Sequence, residues 1–164
     1  MQKIIVICAL VLVIYCQTSI TYAAVNNNFF RADKQYYDTE TGQHVVTGNI
    51  VITVGDGIIK GDTARVKLST LEFWGIGAWQ INQYNITFKG ESVYVIFGKT
   101  LATIEGGVDF RRDNLRITAD KVAYNWKSRV AEFSGNVLIV KGIGTPESLE
   151  RVRYNVQAQE FLRE

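Results

Sequence analysis

The chain has 164 residues, with 18 Lys and Arg against 16 Asp and Glu, a formal net charge of +2. So even a balance, without a dense basic stripe, excludes nucleic acid as the expected partner. Both cysteines, Cys8 and Cys16, precede Ala23, and His44 is the single histidine. The chain beyond Ala23 is therefore expected to hold no disulfide, no thiolate metal site and no histidine-based metal centre.

Residues 1–23 read as a secretion signal. Lys3 supplies the positive start, and Ile4 to Tyr15 is an apolar run too short to cross a bilayer core of about 30 Å. Thr21-Tyr22-Ala23 offers a small-residue exit, with cleavage after Ala23 or Ala24. The alternative is an uncleaved anchor extending through Ala24, which Gln17, Thr18, Ser19 and Thr21 weaken. Val13-Ile14-Tyr15-Cys16 is a poor lipoprotein box, because a large Tyr precedes the Cys. Removing Lys3 with this segment leaves 17 basic and 16 acidic side chains. Residues 24–164, about 140 in number, suffice for one domain.

From Phe30 onward the chain is an internal repeat. Asp33, Asp62, Glu91 and Asp120 are evenly spaced, 29 positions apart. At one fixed distance after each stands a glycine: Gly48, Gly77, Gly106 and Gly135. Three before the acid come Phe30, Ile59, Phe88 and Ile117; four after it come Tyr37, Val66, Val95 and Tyr124. A unit of this length cannot bury its apolar side alone, and stacking the units creates one continuous apolar surface.

Each copy predicts two strands. The first runs through the acid to the residue four beyond it. The second is centred on the glycine: Val46, Gly48, Ile50, Ile52 and Val54 share one face, since side chains alternate with period two. β-Branched and aromatic residues abound, there is one proline, and no long stretch has a helical period. Asp38-Thr39-Glu40-Thr41-Gly42 and Asn125-Trp126-Lys127-Ser128 are turn sequences. Short turns favour antiparallel neighbours, giving a meander of about nine to eleven strands. In the fourth copy Ile117 and Ala119 share a face but Val122 and Tyr124 have the opposite parity, so the acid marks a bulge or bend. Acids spread along a stack are not paired for catalysis, and their role is read as structural. The glycines are expected to leave room on the inner face for a close approach of backbone or ligand. Lys141 to Arg153, with Pro146, reads as a loop that holds at most a helical turn over Ser148 to Tyr154. Val156 to Phe161 reads as a half copy of Ile117 to Val122, set about ten residues further along than the repeat would place it.

ADKQYYDTETGQHVVTGNIVI, from Ala32, and its echo ITADKVAYNWKSRVAEFSGNVLIV, from Ile117, resemble the OstA-like domain family. That family includes periplasmic lipopolysaccharide transport proteins of Gram-negative envelopes. The resemblance spans Phe29 to Phe161, with the outer copies the better match. It implies an all-β, open, twisted antiparallel jellyroll whose apolar interior carries lipid acyl chains from inner to outer membrane. It implies periplasmic localisation, lipopolysaccharide or a related lipid as ligand, and other OstA-like proteins of a transport bridge as partners. Within the family a soluble bridging component and a membrane-anchored component are the two alternatives. The short apolar run and Ala23 favour the first.

Register and alternation assign the inner face, the candidate lipid-binding surface, to Val46, Ile50, Ile52, Phe73, Ile81, Phe88, Val93, Val95, Ile104, Val108, Phe110, Ile117, Val122, Phe133, Val137 and Ile139. No catalytic residue, cofactor or metal site is expected, and no Gly-x-Ser-x-Gly nucleophile motif occurs. Arg111-Arg112 is the densest basic pair and reads as a solvated strand end. Head-to-tail self-association is expected through the stack ends, near Phe30 to Tyr37 and Val156 to Phe161. The competing class is a structural or glycan-binding envelope protein, with Trp74, Trp79 and Trp126 as sugar platforms.

Overall fold

The computed structural model describes residues 25–26, 30–54, 57–83 and 85–163. The signal or anchor predicted over 1–23 lies outside them. The described residues form one antiparallel meander of twelve strands. They are β1 (Val25–Asn26), β2 (Phe30–Ala32), β3 (Lys34–Asp38), β4 (Gln43–Val54), β5 (Gly57–Lys67), β6 (Glu72–Gln83), β7 (Ile86–Ile96), β8 (Leu101–Arg112), β9 (Leu115–Asn125), β10 (Val130–Lys141), β11 (Glu147–Asn155) and β12 (Glu160–Leu162). Twelve rather than nine to eleven arise because the first strand of copy one breaks at Asp33 into β2 and β3, both paired to β4.

Every long strand bends at its middle, and the acid and glycine columns make the bend. In the β5–β6 pair, Thr63 faces Ile76 and Lys60 faces Gln80, so two residues of β5 oppose three of β6. The same shift recurs at Gly48, Gly106 and Gly135. The extra residue always lies on the glycine strand, as in a β-bulge. The glycines take left-handed φ values of 78°, 98°, 79° and 75°, which L side chains rarely adopt. A Cβ on Gly135 would lie 2.5 Å from Asp120 Oδ2; on Gly77, 2.8 Å from Asp62 Oδ2; on Gly106, 2.6 Å from Glu91 Oε2. These glycines therefore make room for the carboxylate of the paired strand. The expectation that they clear the inner face for a guest is not met.

The acids in turn tie the bulge. Asp33 and Asp120 accept side-chain amide bonds from Asn49 and Asn136, each 2.8 Å, and Asp62 accepts the backbone N–H of Ala78 at 3.1 Å. Asn49 and Asn136 themselves have φ of 48° and 46°, a conformation asparagine tolerates better than most residues.

The bends fold the sheet into two facing leaves. Strand halves 43–47, 63–67, 72–76, 92–96, 101–105, 121–125, 130–134 and 151–155 make one leaf. Halves 50–54, 57–61, 79–83, 86–90, 108–112, 115–119, 137–141 and 147–149 make the other. The core lies between them.

The last copy corrects the sequence reading. β11 is a strand where a loop and helical turn were expected, and Glu150 sits opposite the Gly135–Asn136 bulge as Asp120 sits opposite Gly106–Gly107. The step from Asp120 to Glu150 is one longer than the repeat, so a single residue is inserted and not ten. Turn chemistry shows the same alignment. Asn125 Oδ1 accepts N–H bonds from Lys127 and Ser128, both 3.0 Å, and Asn155 Oδ1 accepts those of Gln157 and Ala158 at 3.0 and 2.9 Å. Asp38 does the same for Glu40 at 3.0 Å, and its carboxyl is held below the usual range chiefly by the Thr41 hydroxyl.

Gly135→Ala should cost about 2 kcal/mol or more, from the left-handed backbone alone before the clash with Asp120. Asp120→Ala in that background should recover part of the loss. A urea-unfolding double-mutant cycle measures this, and strict additivity would show that the two residues do not pack on each other.

Candidate functional site

Among the described residues the fully buried core between the leaves is apolar, with the Arg112 side chain at its edge. Of the sixteen residues assigned to the inner face, thirteen are buried, and Phe110, Ile117, Val122, Phe133 and Val137 have no exposed surface at all. Ile52, Ile81 and Val95 are partly buried and pack against the same cluster. The structure brings all sixteen into one continuous core.

Aromatic rings bridge the leaves. Phe110 of one leaf lies 5.6 Å from Phe133 and 5.8 Å from Tyr154 of the other, centroid to centroid. Phe88 lies 5.7 Å from Tyr124, and Phe73 meets Trp79 edge-on at 5.3 Å. These are favourable aromatic geometries, and they close the centre of the sandwich. Burial pushes the Tyr154 hydroxyl above its ordinary value.

Trp79 is the buried tryptophan, in a notch between Gly61 and Gly75; a Cβ on Gly61 would lie 2.5 Å from its ring. Its Nε1 has no hydrogen-bond partner among the described residues. Trp74 instead stacks on Tyr94 at 5.4 Å and 17° on the outer face, where the Tyr94 hydroxyl donates to Glu72 at 2.5 Å. Trp126 sits in a turn against Phe97. The three tryptophans face three different environments and form no common sugar platform.

The free ends of the leaves form two lips that the sequence reading did not single out. One lip is the turn column six positions beyond each acid: Thr39, Leu68, Phe97, Trp126 and Val156. Successive turns are tied together: Phe97 N–H donates to the Leu71 carbonyl at 3.2 Å, Trp126 to Thr100 at 3.2 Å and Val156 to Arg129 at 2.8 Å. The other lip is the column twenty-one positions beyond each acid: Val54, Gln83, Arg112 and Lys141. Extending the repeat register to these positions would have exposed both.

Alternation separates the basic pair. Arg111 points outward and is bonded to Asp109 at 2.8 Å, beside Arg116. Arg112 points inward and is largely buried, so only Arg111 is the solvated strand end that was expected. At the N-terminal end Tyr37 and His44 face each other at 4.9 Å, and burial alone lowers the His44 pKa. Among the described residues no group of three or more His, Cys, Asp or Glu converges as a metal site would require.

An open sheet, bent along one line and closed over an apolar interior, defines a β-jellyroll of the open, repeat-built kind. Among solved structures the chain is similar to LptH of Pseudomonas aeruginosa, described as the LptA-homologous periplasmic component of the conserved lipopolysaccharide transport device. The TM-score is 0.57 at 15% identity, over 65% of this chain and 80% of that one. The likeness establishes the fold. No protein-family profile matches the chain, and no curated protein matches it in sequence.

Phe110→Ala should cost about 3–5 kcal/mol, as for a fully buried ring, and Ile52→Ala clearly less; urea unfolding ranks them. His44 should make acid destabilising. Its folded pKa lies below the ordinary 6.5, so the unfolded chain takes up its proton first and stability falls as pH drops through 6.5. His44→Phe should flatten that part of the stability–pH curve, and an unchanged curve would remove His44 as the cause.

Proposed function

We propose that the protein is a periplasmic lipid carrier that holds acyl chains of lipopolysaccharide, or a related lipid, between its two leaves. The observation that carries this reading is the unbroken apolar interior lined by both leaves and reached through lips rather than through a rigid wall. A dozen buried methylenes at ~0.8 kcal/mol each contribute roughly 10 kcal/mol before ordering costs, enough to keep a lipid out of a membrane. The centre is already filled by Phe110, Phe133 and Val137, so a guest enters by parting the lips and replacing side-chain contacts. The likeness to LptH supports the reading, since that protein is described as part of a lipopolysaccharide transport device. No step of carriage needs a catalytic group.

Residues 1–23 would then act as the export signal, and 24–164 as the carrier domain. The sheet ends give the carrier its partners. β12 covers only Arg153 to Asn155 of β11, so the rest of that strand pairs on one side among the described residues. A second copy or another protein of the same fold can add there by strand pairing, which would extend the interior.

A photo-crosslinker at Ile52 or Phe110 should capture lipid in envelope extracts, while one at the neighbouring outward Thr53 should not. Capture at Thr53 alone would overturn the reading. Loss of lipid-dependent crosslinking on mutating the lips would support entry there.

A further inference from the structure

The two lips are not alike along their length. The one built by the strand ends runs from Val54 through Gln83 to Arg112 and Lys141, so its C-terminal end carries two cations. Both reach across to the other leaf. Arg112 Nη1 donates to the backbone carbonyl of Val156, in the turn before β12. Lys141 Nζ lies 4.5 Å from the centre of the Phe161 ring on β12. Arg112 and Lys141 end strands separated only by β9, so they stand two strand spacings apart, about 10 Å.

Arg112 is incompletely satisfied. Its side chain is 11% exposed, and its Nε is buried with no hydrogen bond among the described residues. The nearest anion to Nε is Asp113, at 3.8 Å, whose carboxylate takes two 2.8 Å bonds from Asn85. A buried guanidinium donor without an acceptor is costly, and a planar fork of donors suits phosphate. Counting Arg112, Lys141 and Asp113, the lip keeps one positive charge.

We propose that Arg112 and Lys141 form a phosphate-binding site at the C-terminal lip, which takes the headgroup of a phosphorylated lipid while its acyl chain lies between the leaves. The site rests on the acyl-chain reading above. Phosphate replaces the Val156 carbonyl as acceptor and so unfastens the lip as the headgroup docks. Arg112 and Lys141 thus hold the seam shut until an anionic lipid arrives.

Calorimetry of the full-length chain tests this with myristoyl lysophosphatidic acid, monomyristoylglycerol and inorganic phosphate, both lipids below their micelle concentrations. The phosphorylated lipid should bind about tenfold more tightly than the neutral one, the gain of one charge-assisted contact. Arg112→Gln should abolish that gain and Lys141→Gln reduce it, each read as the ratio of the two lipids' affinities in the same variant, because loosening the lip acts on both lipids alike. Lys141 is exposed, so its variant reports even if Arg112→Gln unfolds. Arg111→Gln, the same charge change on the outer face, should have no effect. Equal affinity for the two lipids, or equal losses in the Arg111 and Arg112 variants, overturns the headgroup site and leaves the acyl-chain reading standing. Inorganic phosphate binding as tightly as the lipid overturns the headgroup assignment in favour of free phosphate. Binding of neither lipid overturns the acyl-chain reading and the site with it.

Discussion

Each carboxylate of the acid column rests on a glycine of the next strand, in the space a Cβ would occupy. This contact needs two things at once: a residue without a side chain, and a backbone at positive φ that turns the glycine strand. Together they insert one residue into that strand and rotate its second half away from the first. Because the contact recurs in every copy, the bends fall on one line. A flat antiparallel meander with so apolar a face would have had to bury it against another sheet. Bent along this line, it buries the face against itself.

The two leaves differ in how firmly they hold each other. Near the bends and in the C-terminal copies, rings such as Phe110, Phe133 and Tyr154 interlock in the buried centre. At the C-terminal lip the closure consists of one carbonyl contact and one cation over a ring. A buried core of this density resists change, whereas a cation–π contact at a wet edge is worth about 1 kcal/mol. Any molecule that enters between the leaves will therefore enter at the edge, while the bend stays fixed. Stability is assigned to the middle of each strand and access to its ends.

Much of this architecture was legible in the sequence because the bend imposes identity at few positions and those positions recur. Asp33, Asp62, Glu91 and Asp120 with their glycines fixed the register, and period-two alternation from that register placed Val46 through Ile139 on one face. What the register did not show was direction. Whether Gly135 faced the interior or the neighbouring carboxylate depends on φ, which sequence alone does not reveal. The last copy is obscured in the sequence because Glu150 arrives one residue late and its glycine-strand partner shrinks to β12. Val156-Gln157-Ala158 resembles Ile117-Thr118-Ala119, but Arg151-Val152-Arg153-Tyr154-Asn155 is the better match, to Lys121-Val122-Ala123-Tyr124-Asn125. Arg112 was hidden by its neighbour, since two adjacent arginines on a strand belong to opposite faces.

Trp79 shows a further property of the interior. At its column the other copies carry Ile50, Val108 and Val137, and at the Gly75 column they carry Val46, Ile104 and Phe133. Where one position is large its partner is small: indole against glycine in the second copy, phenyl against valine in the fourth. Ile104 likewise fills the space that Gly90 leaves on the adjacent strand. Volume is thus balanced within each copy, and each copy strikes that balance with different residues. The chain is periodic in its bends but not in its filling, so a large side chain at one of these positions collides unless its partner in the same copy is small. Each stretch of the interior is therefore filled by its own copy, while the bend motif runs through all four.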